Sequence, residues 1–556
     1  MNQQLNEMEY NALAELLFPH ITTLPADMEA RYPARDLPEG AKVTRFAPSP
    51  TGFLHLGNLY GAFTDERLAH TSGGVFYLRI EDTDAKRTVE NGVELIIETL
   101  GKLGVNFDEG AIQNGQDKGA YGPYRQSERA EIYQTYAKQL VREGKAYPCF
   151  CSEEEIAAMR EKQEAAKENP GYYGKCAVWR DAPIEKIKEK LDAGAAFVLR
   201  FRSEGSIENK LKFIDQIKNE IDVTENDIDH VILKSDGIPT YHFAHAVDDH
   251  LMHTTHVVRD ESWLSTLPFH IQLFRALGFK MPKYCHTAQL MKLDNGNKRK
   301  ISKRKDPEFA ASYYHEEGYP AAVVREYLMT LLNSNFEEWR LANPTAPIEE
   351  FKFTTKKMAV SGSLFDMDKL ADISKNVISR MTAEEVYALV LAWAQDFDPA
   401  FADVLKADPD TAKDILSIGR GGAKPRKDIT RWSEVKEYMG FFYDEYFKIA
   451  DEYPATFAHA DIKNVLAQFC DTFDIADDSA GWFAKIKEIA AVNGFAADMK
   501  QYKQDPSAFK GSVADVSMFL RVAVTGKMNS PDMYSVMQIL GRDRVLARVR
   551  AMIESL

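Results

Sequence analysis

Cysteine is scarce: the chain has five in 556 residues. That excludes a disulfide framework as the main source of stability and fits a reducing cytosol. Long apolar runs are missing, and none approaches the ~20 residues a membrane helix needs. The first residues, MNQQLNEMEY, carry acids instead of the basic-then-apolar pattern of a secretory leader. No membrane partner is therefore expected, and the cytoplasm is the expected location. No internal repeat or low-complexity tract occurs. The phosphate loop G-x-x-x-x-G-K-[ST] is absent, as is a convincing G-x-G-x-x-G, so any nucleotide must be held by another device. Excess positive charge is lacking too: 84 acids against 69 bases give −15. This argues against binding nucleic acid through overall charge, although a local basic patch can reverse the field.

What is present is an ordinary globular composition, 45% hydrophobic and 28% charged. At about 100–200 residues per domain, the length predicts three to five domains. Leu5, Met8, Ala12 and Leu16 recur at helical spacing, so residues 3–18 predict a short amphipathic helix within an N-terminal extension, 1–40. From Lys42 the pattern alternates. VTRF (43–46) and VFYLRIED (75–82) read as strands, and Val89 to Leu103 has helical spacing. Residues 128–144 predict another helix. An insertion over about 145–225 breaks the rhythm, which resumes with HVILKS (230–235), HVVRD (256–260), a helix near 263–277 and KYCHTAQL (283–290). This is the signature of an α/β parallel sheet of Rossmann type, 41–310, with an inserted domain. Beyond about 310 the text turns helical, with a connector (311–375) and an all-α region (376–556). There Ile462, Val465, Leu466, Phe469 and Phe473 share one face, Trp482, Ile486 and Ile489 another, and Met533, Val536 and Leu540 a third.

Two constellations carry chemistry. In Pro48-Ser49-Pro50-Thr51-Gly52-Phe53-Leu54-His55-Leu56-Gly57-Asn58, prolines stiffen a loop that opens a helix. Gly57 lets backbone approach a ligand, and the helix N-terminus favours phosphate. His55 can donate to charge building on an α-phosphate. Taken alone, the loop reads equally well as a turn with an incidental histidine. The second is Lys300-Ile301-Ser302-Lys303-Arg304. Alone it reads as a solvated basic loop; functionally, it would neutralise departing pyrophosphate.

Together, His55-Leu56-Gly57-Asn58 and Lys300–Arg304 resemble the HIGH and KMSKS motifs of class I aminoacyl-tRNA synthetases. RFAPSPTG, GGVFYLRIEDTD (73–84), GPYRQSER (122–129), KSDGIPTYHFAHAVDDHLM (234–252) and KISKRK resemble the bacterial-type glutamyl-tRNA synthetases in particular. The likeness is near-continuous from about 43 to 310 and weaker to the C-terminus. It implies a chain that activates L-glutamate with ATP and Mg²⁺ and transfers it to the 3′ end of tRNA-Glu. His55, Gly57, Asn58, Lys300, Ser302, Lys303 and Arg304 would be the catalytic motifs, with His55, Gly57 and Lys303 on ATP. Arg45, Ala47, Ser49, Glu81, Tyr241 and Arg259 would surround the amino acid. Arginine grips a carboxylate with a two-pronged fork, and glutamine would leave an arginine unpaired. His245 stands where some relatives carry asparagine. The insertion would bind the acceptor end and the connector the tRNA stem. Cys149, Cys151, Tyr172 and Cys176 match the zinc pattern of some members, with free thiols as the alternative; Val178 rules out the histidine ligand others were described with. Arg426, in the basic run GGAKPRKDITR (421–431), and Arg521 and Pro531 in the closing motif would touch the anticodon.

The resemblance also sets the rivals. A truncated paralogue that modifies an anticodon base lacks the helical C-terminal region. Glutaminyl-tRNA synthetase ends in β-barrels, which helical periodicity opposes. A form that also charges tRNA-Gln, and a tRNA-binding paralogue without catalysis, are the remaining alternatives. The expected chain is a monomer.

Overall fold

A computed structural model describes residues 5–50, 52–84, 89–302 and 304–556. Two compact units form: one runs up to Tyr313 and again over Val324–Asp366, the other takes Tyr314–Val323 and Met367–Leu556.

The first unit is built on parallel strands. Val43–Phe46 pairs with Val75–Leu78, which pairs with Glu109–Ala111. His256–Asp260 pairs in parallel with Lys283–Thr287. Thr255 joins the two sets, donating its N–H to the Val43 carbonyl (2.9 Å). The strand Val43–Phe46 is buried at every position, as a strand covered on both faces must be. The helix Leu56–His70 packs on it, with Leu56, Leu59, Tyr60 and Phe63 buried.

Two sequence expectations change here. Glu7–Leu17 is a helix, capped reciprocally by Asn6 and Glu9, but its buried residues are Tyr10, Leu13, Ala14 and Leu17. Met8 is 80% exposed. The spacing found the helix but not its most buried face: Met8 and Ala12 are exposed and Leu5 and Leu16 half-buried, while a tyrosine anchors the buried side. The extension is stitched to the sheet: Arg35 grips Glu109 with two hydrogen bonds of 3.0 Å. The second change concerns Val231–Leu233. It does not rejoin the parallel sheet; it pairs antiparallel with Val198–Phe201, which pairs antiparallel with Ala146–Cys149. A three-residue apolar run fits either sheet, and only long-range pairing decides.

A hairpin, Lys210–Asp215 with Asn219–Thr224, leaves the inserted segment. Its Phe213 and Val223 are buried with Val257, Leu267 and Tyr284, so it packs onto the second set of parallel strands. A second hairpin, Leu290–Asp294 with Asn297–Lys300, carries the basic loop.

The second unit is helical. Ile462, Val465, Leu466, Phe469, Trp482, Ile486, Ile489, Met533, Val536 and Leu540 all enter one core, as their spacing predicts.

Candidate active site

A cavity of about 540 Å³ opens at the C-terminal ends of the parallel strands. Arg45, Ala47, Ser49, Glu81, Tyr241 and Arg259 line it. So do His55, Gly57, Asn58 and Lys300. Residues separated by more than 200 positions are thereby brought into one chamber. Ser302 and Arg304 do not line it, and Lys303 lies outside the described residues.

One wall is the start of the helix Leu56–His70. His55 is its N-cap: His55 Nδ1 accepts from the Asn58 N–H (3.2 Å), and Asn58 Oδ1 accepts from the His55 N–H (3.0 Å). With Nδ1 used as an acceptor, the neutral ring carries its proton on Nε2. The ring stacks on Phe309, centroids 4.8 Å apart. A Cβ on Gly57 would come within 3.0 Å of the His55 ring, so glycine there keeps the ring in place. Gly61, one turn on, also faces the cavity, and a Cβ there would meet nothing within 4 Å.

The floor is a buried charge network. Asp249 receives Arg45 Nε at 3.2 Å and Arg79 Nη1 at 2.6 Å. Burial pushes its carboxyl up, but Arg45 and Arg79 pull it well below the usual carboxylate range. Arg79 also donates to Glu81 (3.1 Å). Neighbouring Asp248 is held by Arg129 (2.7 Å), Tyr133 (2.8 Å) and Gln126 (2.9 Å). Glu81 is pushed up to about 7 by burial, which outweighs the attraction of Arg79 and Arg45. Arg45 thus arrives with its charge already matched.

Arg259 does not. Its Nε donates to His286 Nε2 (2.9 Å) and its Nη1 to His270 Nδ1 (3.0 Å). Its plane covers the Tyr284 ring at 4.5 Å. Its Nη2 is buried without a hydrogen-bond partner. His270 is held well below the usual imidazole range by burial and by the charges of His245 and Arg259, and burial also lowers His286. Both rings are therefore neutral acceptors. An arginine in this position offers an open charge to a carboxylate.

The basic loop is anchored at its base. Arg299 donates two hydrogen bonds of 2.7 Å to Asp306 and a third, also 2.7 Å, to Asp294. Asp306 also accepts the Ser302 N–H (2.9 Å) and is held well below the usual carboxylate range, chiefly by Arg299. Ile301 is buried.

Sequence reading missed Arg79, Asp249, His270, His286 and Asp306. Two were accessible. Arg79 lies two residues before Glu81 on extended chain, hence on the same side. Tyr241, His245 and Asp249 are spaced by four on the helix Tyr241–Leu251. His270 and His286 come from distant elements and gave no local signal.

In the inserted segment, Cys151 Sγ lies 3.6 Å from the Tyr172 hydroxyl. The Cys149 thiol is pulled below the usual thiol range, first by Cys151, with Tyr172 and Arg200 assisting. Cys176 instead meets Gln163 Nε2 at 3.7 Å. Among the described residues no three His, Cys, Asp or Glu side chains are gathered as a metal needs. Cys149, Cys151 and Tyr172 adjoin, while the contact shown for Cys176 is Gln163.

In the helical unit, Arg426 pairs with Asp428 (3.1 Å from Nη2) and Arg521 Nε donates to Ser530 (3.1 Å). Burial and the charge of Arg426 lower Arg521, which puts the two arginines in one neighbourhood, with Asp532. Pro531 is buried beside them, as is Ser530.

Comparisons agree with this geometry. Residues 42–372 match the family of class I tRNA synthetases (E and Q), catalytic domain, and 385–553 match an anticodon binding domain. The glutamate–tRNA ligase of Acetivibrio thermocellus is 53% identical over 98% of this chain and 100% of its own length. That of Clostridium perfringens is 47% identical over 98% and 100%. The crystal structure of a glutamate tRNA ligase from Elizabethkingia meningosepticum, in complex with its amino acid, is 26% identical, covers 93% of this chain and 99% of its own, and superposes with a TM-score of 0.73. With full-length kinship at that level and a family match across most of its length, the chain belongs to the glutamate–tRNA ligases, aminoacyl-tRNA synthetases of class I.

Proposed function

We propose that the cavity holds L-glutamate between Arg259 and Glu81, beside ATP at the start of the helix Leu56–His70. The observation that carries this reading is the unmatched Arg259 guanidinium, whose buried Nη2 has no protein partner. A buried, uncompensated charge is costly, several kcal/mol, until an anion meets it. The side-chain carboxylate of glutamate supplies that anion and glutamine cannot. Glu81 and Tyr241 receive the α-ammonium end. Arg45, Ala47 and Ser49 border the remaining carboxylate.

The α-carboxylate attacks the α-phosphate of ATP in line, and pyrophosphate leaves. The terminal ribose hydroxyl of tRNA then attacks the mixed anhydride, and AMP leaves. No side chain becomes covalently attached. The protein positions reactants and stabilises charge. His55 Nε2–H serves the α-phosphate oxygens, and the loop bearing Lys300, Ser302, Lys303 and Arg304 serves the leaving pyrophosphate. Mg²⁺ bound to ATP would offset phosphate charge. Arg426, Arg521 and the turn at Pro531 inspect the anticodon of tRNA-Glu. The protein works as a cytoplasmic monomer.

A structural zinc on Cys149, Cys151, Tyr172 and Cys176 requires Cys176 to exchange Gln163 for the metal. Its test is zinc content: one equivalent in the purified protein, lost together with thermal stability in Cys149→Ser, supports it. Metal-free protein of equal thermal stability opposes it.

The main reading is tested by charging purified tRNA-Glu and tRNA-Gln with labelled glutamate, with and without chelator. Ester-linked glutamate on tRNA-Glu is the expected product. Absence of charging, or charging with glutamine in its place, contradicts the reading. Labelled tRNA-Gln identifies the form that accepts both tRNAs.

A further inference from the structure

The hairpin that leaves the inserted segment reaches the far side of Arg259. Its strand Lys210–Asp215 ends in a carboxylate that is 2% exposed. Asp215 Oδ1 accepts the backbone N–H groups of Ile217 (2.9 Å) and Lys218 (2.8 Å). Its Oδ2 faces His286, 2.7 Å from the ring Nδ1 and 3.2 Å from the backbone N–H. The His286 ring, fully buried, then meets Arg259 Nε through Nε2 at 2.9 Å. The hairpin is tied to the same strand by a hydrogen bond from the Gln216 N–H to the Tyr284 carbonyl (2.9 Å).

We propose that Asp215 and His286 are positioning residues that make the hairpin part of amino-acid selection. Asp215 fixes the His286 tautomer, and His286 fixes Arg259 while leaving its charge open to the substrate. This rests on Arg259 being the receptor for the glutamate side chain. The logic is one of donors and acceptors. A carboxylate can only accept, so it holds the proton on His286 Nδ1. That leaves a lone pair on Nε2 for Arg259 Nε–H. A carboxylate placed directly on Arg259 would orient it equally well, but would spend its charge before glutamate arrived. Interposing a neutral ring keeps the orientation and preserves the charge.

Asp215→Asn tests the device. Asparagine can keep an oxygen on the two turn amides only by turning its NH₂ toward His286. The ring must then accept at Nδ1 and carry its proton on Nε2, donor against donor with Arg259 Nε–H. The KM for glutamate in tRNA charging is expected to rise about tenfold or more, the factor one good hydrogen bond supplies. The KM for ATP is expected to stay within about twofold, which separates lost positioning from general damage. Preference for glutamate over glutamine should fall in step. His286→Ala should act in the same direction, and the double variant should be no worse than the worse single, because one chain of contacts is being cut.

The idea is overturned if Asp215→Asn leaves the glutamate KM within twofold while Arg259→Ala raises it. It is overturned equally if both KM values rise together, or if the two single effects multiply. Should Arg259→Ala itself leave the glutamate KM unmoved, the reading of the cavity falls and the relay with it.

Discussion

At the scale of single residues, the site is governed by which charges are already matched. Arg45 and Arg79 share Asp249, so their removal from water is compensated within the protein. Asp249→Asn leaves the buried Arg45 guanidinium without its ion-pair partner, while Arg79 keeps Glu81 and Asp248. Denaturant unfolding should show a loss of about 3–5 kcal/mol, the usual cost of breaking a buried pair. Glu81 gives a pH signature. Its folded-state pKa is raised to about 7, so the empty site holds it increasingly neutral below that pH. Only the carboxylate form pairs with an ammonium group. Glutamate affinity should therefore be full above about 7 and fall as pH drops through it, and Glu81→Gln should abolish that slope. For the empty protein the sign is reversed. Stability contributed by the neutral form is present below Glu81's unfolded range and lost as pH rises through about 7. Calorimetric titration across pH 6–8 checks the first claim. Legibility was uneven at this scale. His55 and Gly57 lie in one contiguous loop and could be read from it, whereas Arg45, on the strand before it, came only from the resemblance. Arg259, expected from the resemblance, lines the cavity, but its neutral surroundings gave no signal, because His270 and His286 reach it from separate elements.

At the scale of elements, helices were read well and their contacts less so. The faces at Ile462–Phe469 and Met533–Leu540 are buried as their spacing requires. The face chosen for the N-terminal helix was wrong, and Val231–Leu233 went to a different sheet than its pattern suggested. Periodicity reports that one side is apolar; it does not report which strand or helix will cover it. The two loops proposed to carry catalysis depend on such contacts. Gly57→Ala would press a methyl group on the His55 ring. A fall in kcat of about tenfold or more with an unchanged thermal midpoint is expected, since alanine suits a helix. The hairpin carrying Lys300 is held by Arg299 and Asp306. Asp306→Asn should lower kcat for charging while leaving the KM for glutamate within about twofold, because Asp306 lies outside the residues that line the cavity. Equal kcat in variant and parent would remove Asp306 from loop positioning.

At the scale of the whole molecule, an acidic chain is proposed to meet a polyanion through local fields. Arg426 and Arg521 gather near Asp532 in the helical unit, although the net charge is −15. Exchanging either for alanine should raise the KM for tRNA-Glu several-fold and leave the KM values for ATP and glutamate unchanged. Fold class and the division between α/β and all-α text were visible from alternation and spacing alone. The charge logic of the chamber was not, because it is assembled from separate stretches of chain that meet only after folding. The most direct measurement is therefore the kcat/KM ratio for glutamate over glutamine, in the parent protein and in Arg259→Ala. A site built around an open guanidinium should favour glutamate by roughly 10⁴ or more, and the variant should lose most of that preference. A ratio that survives the loss of Arg259 would show that selection of the acidic amino acid resides elsewhere.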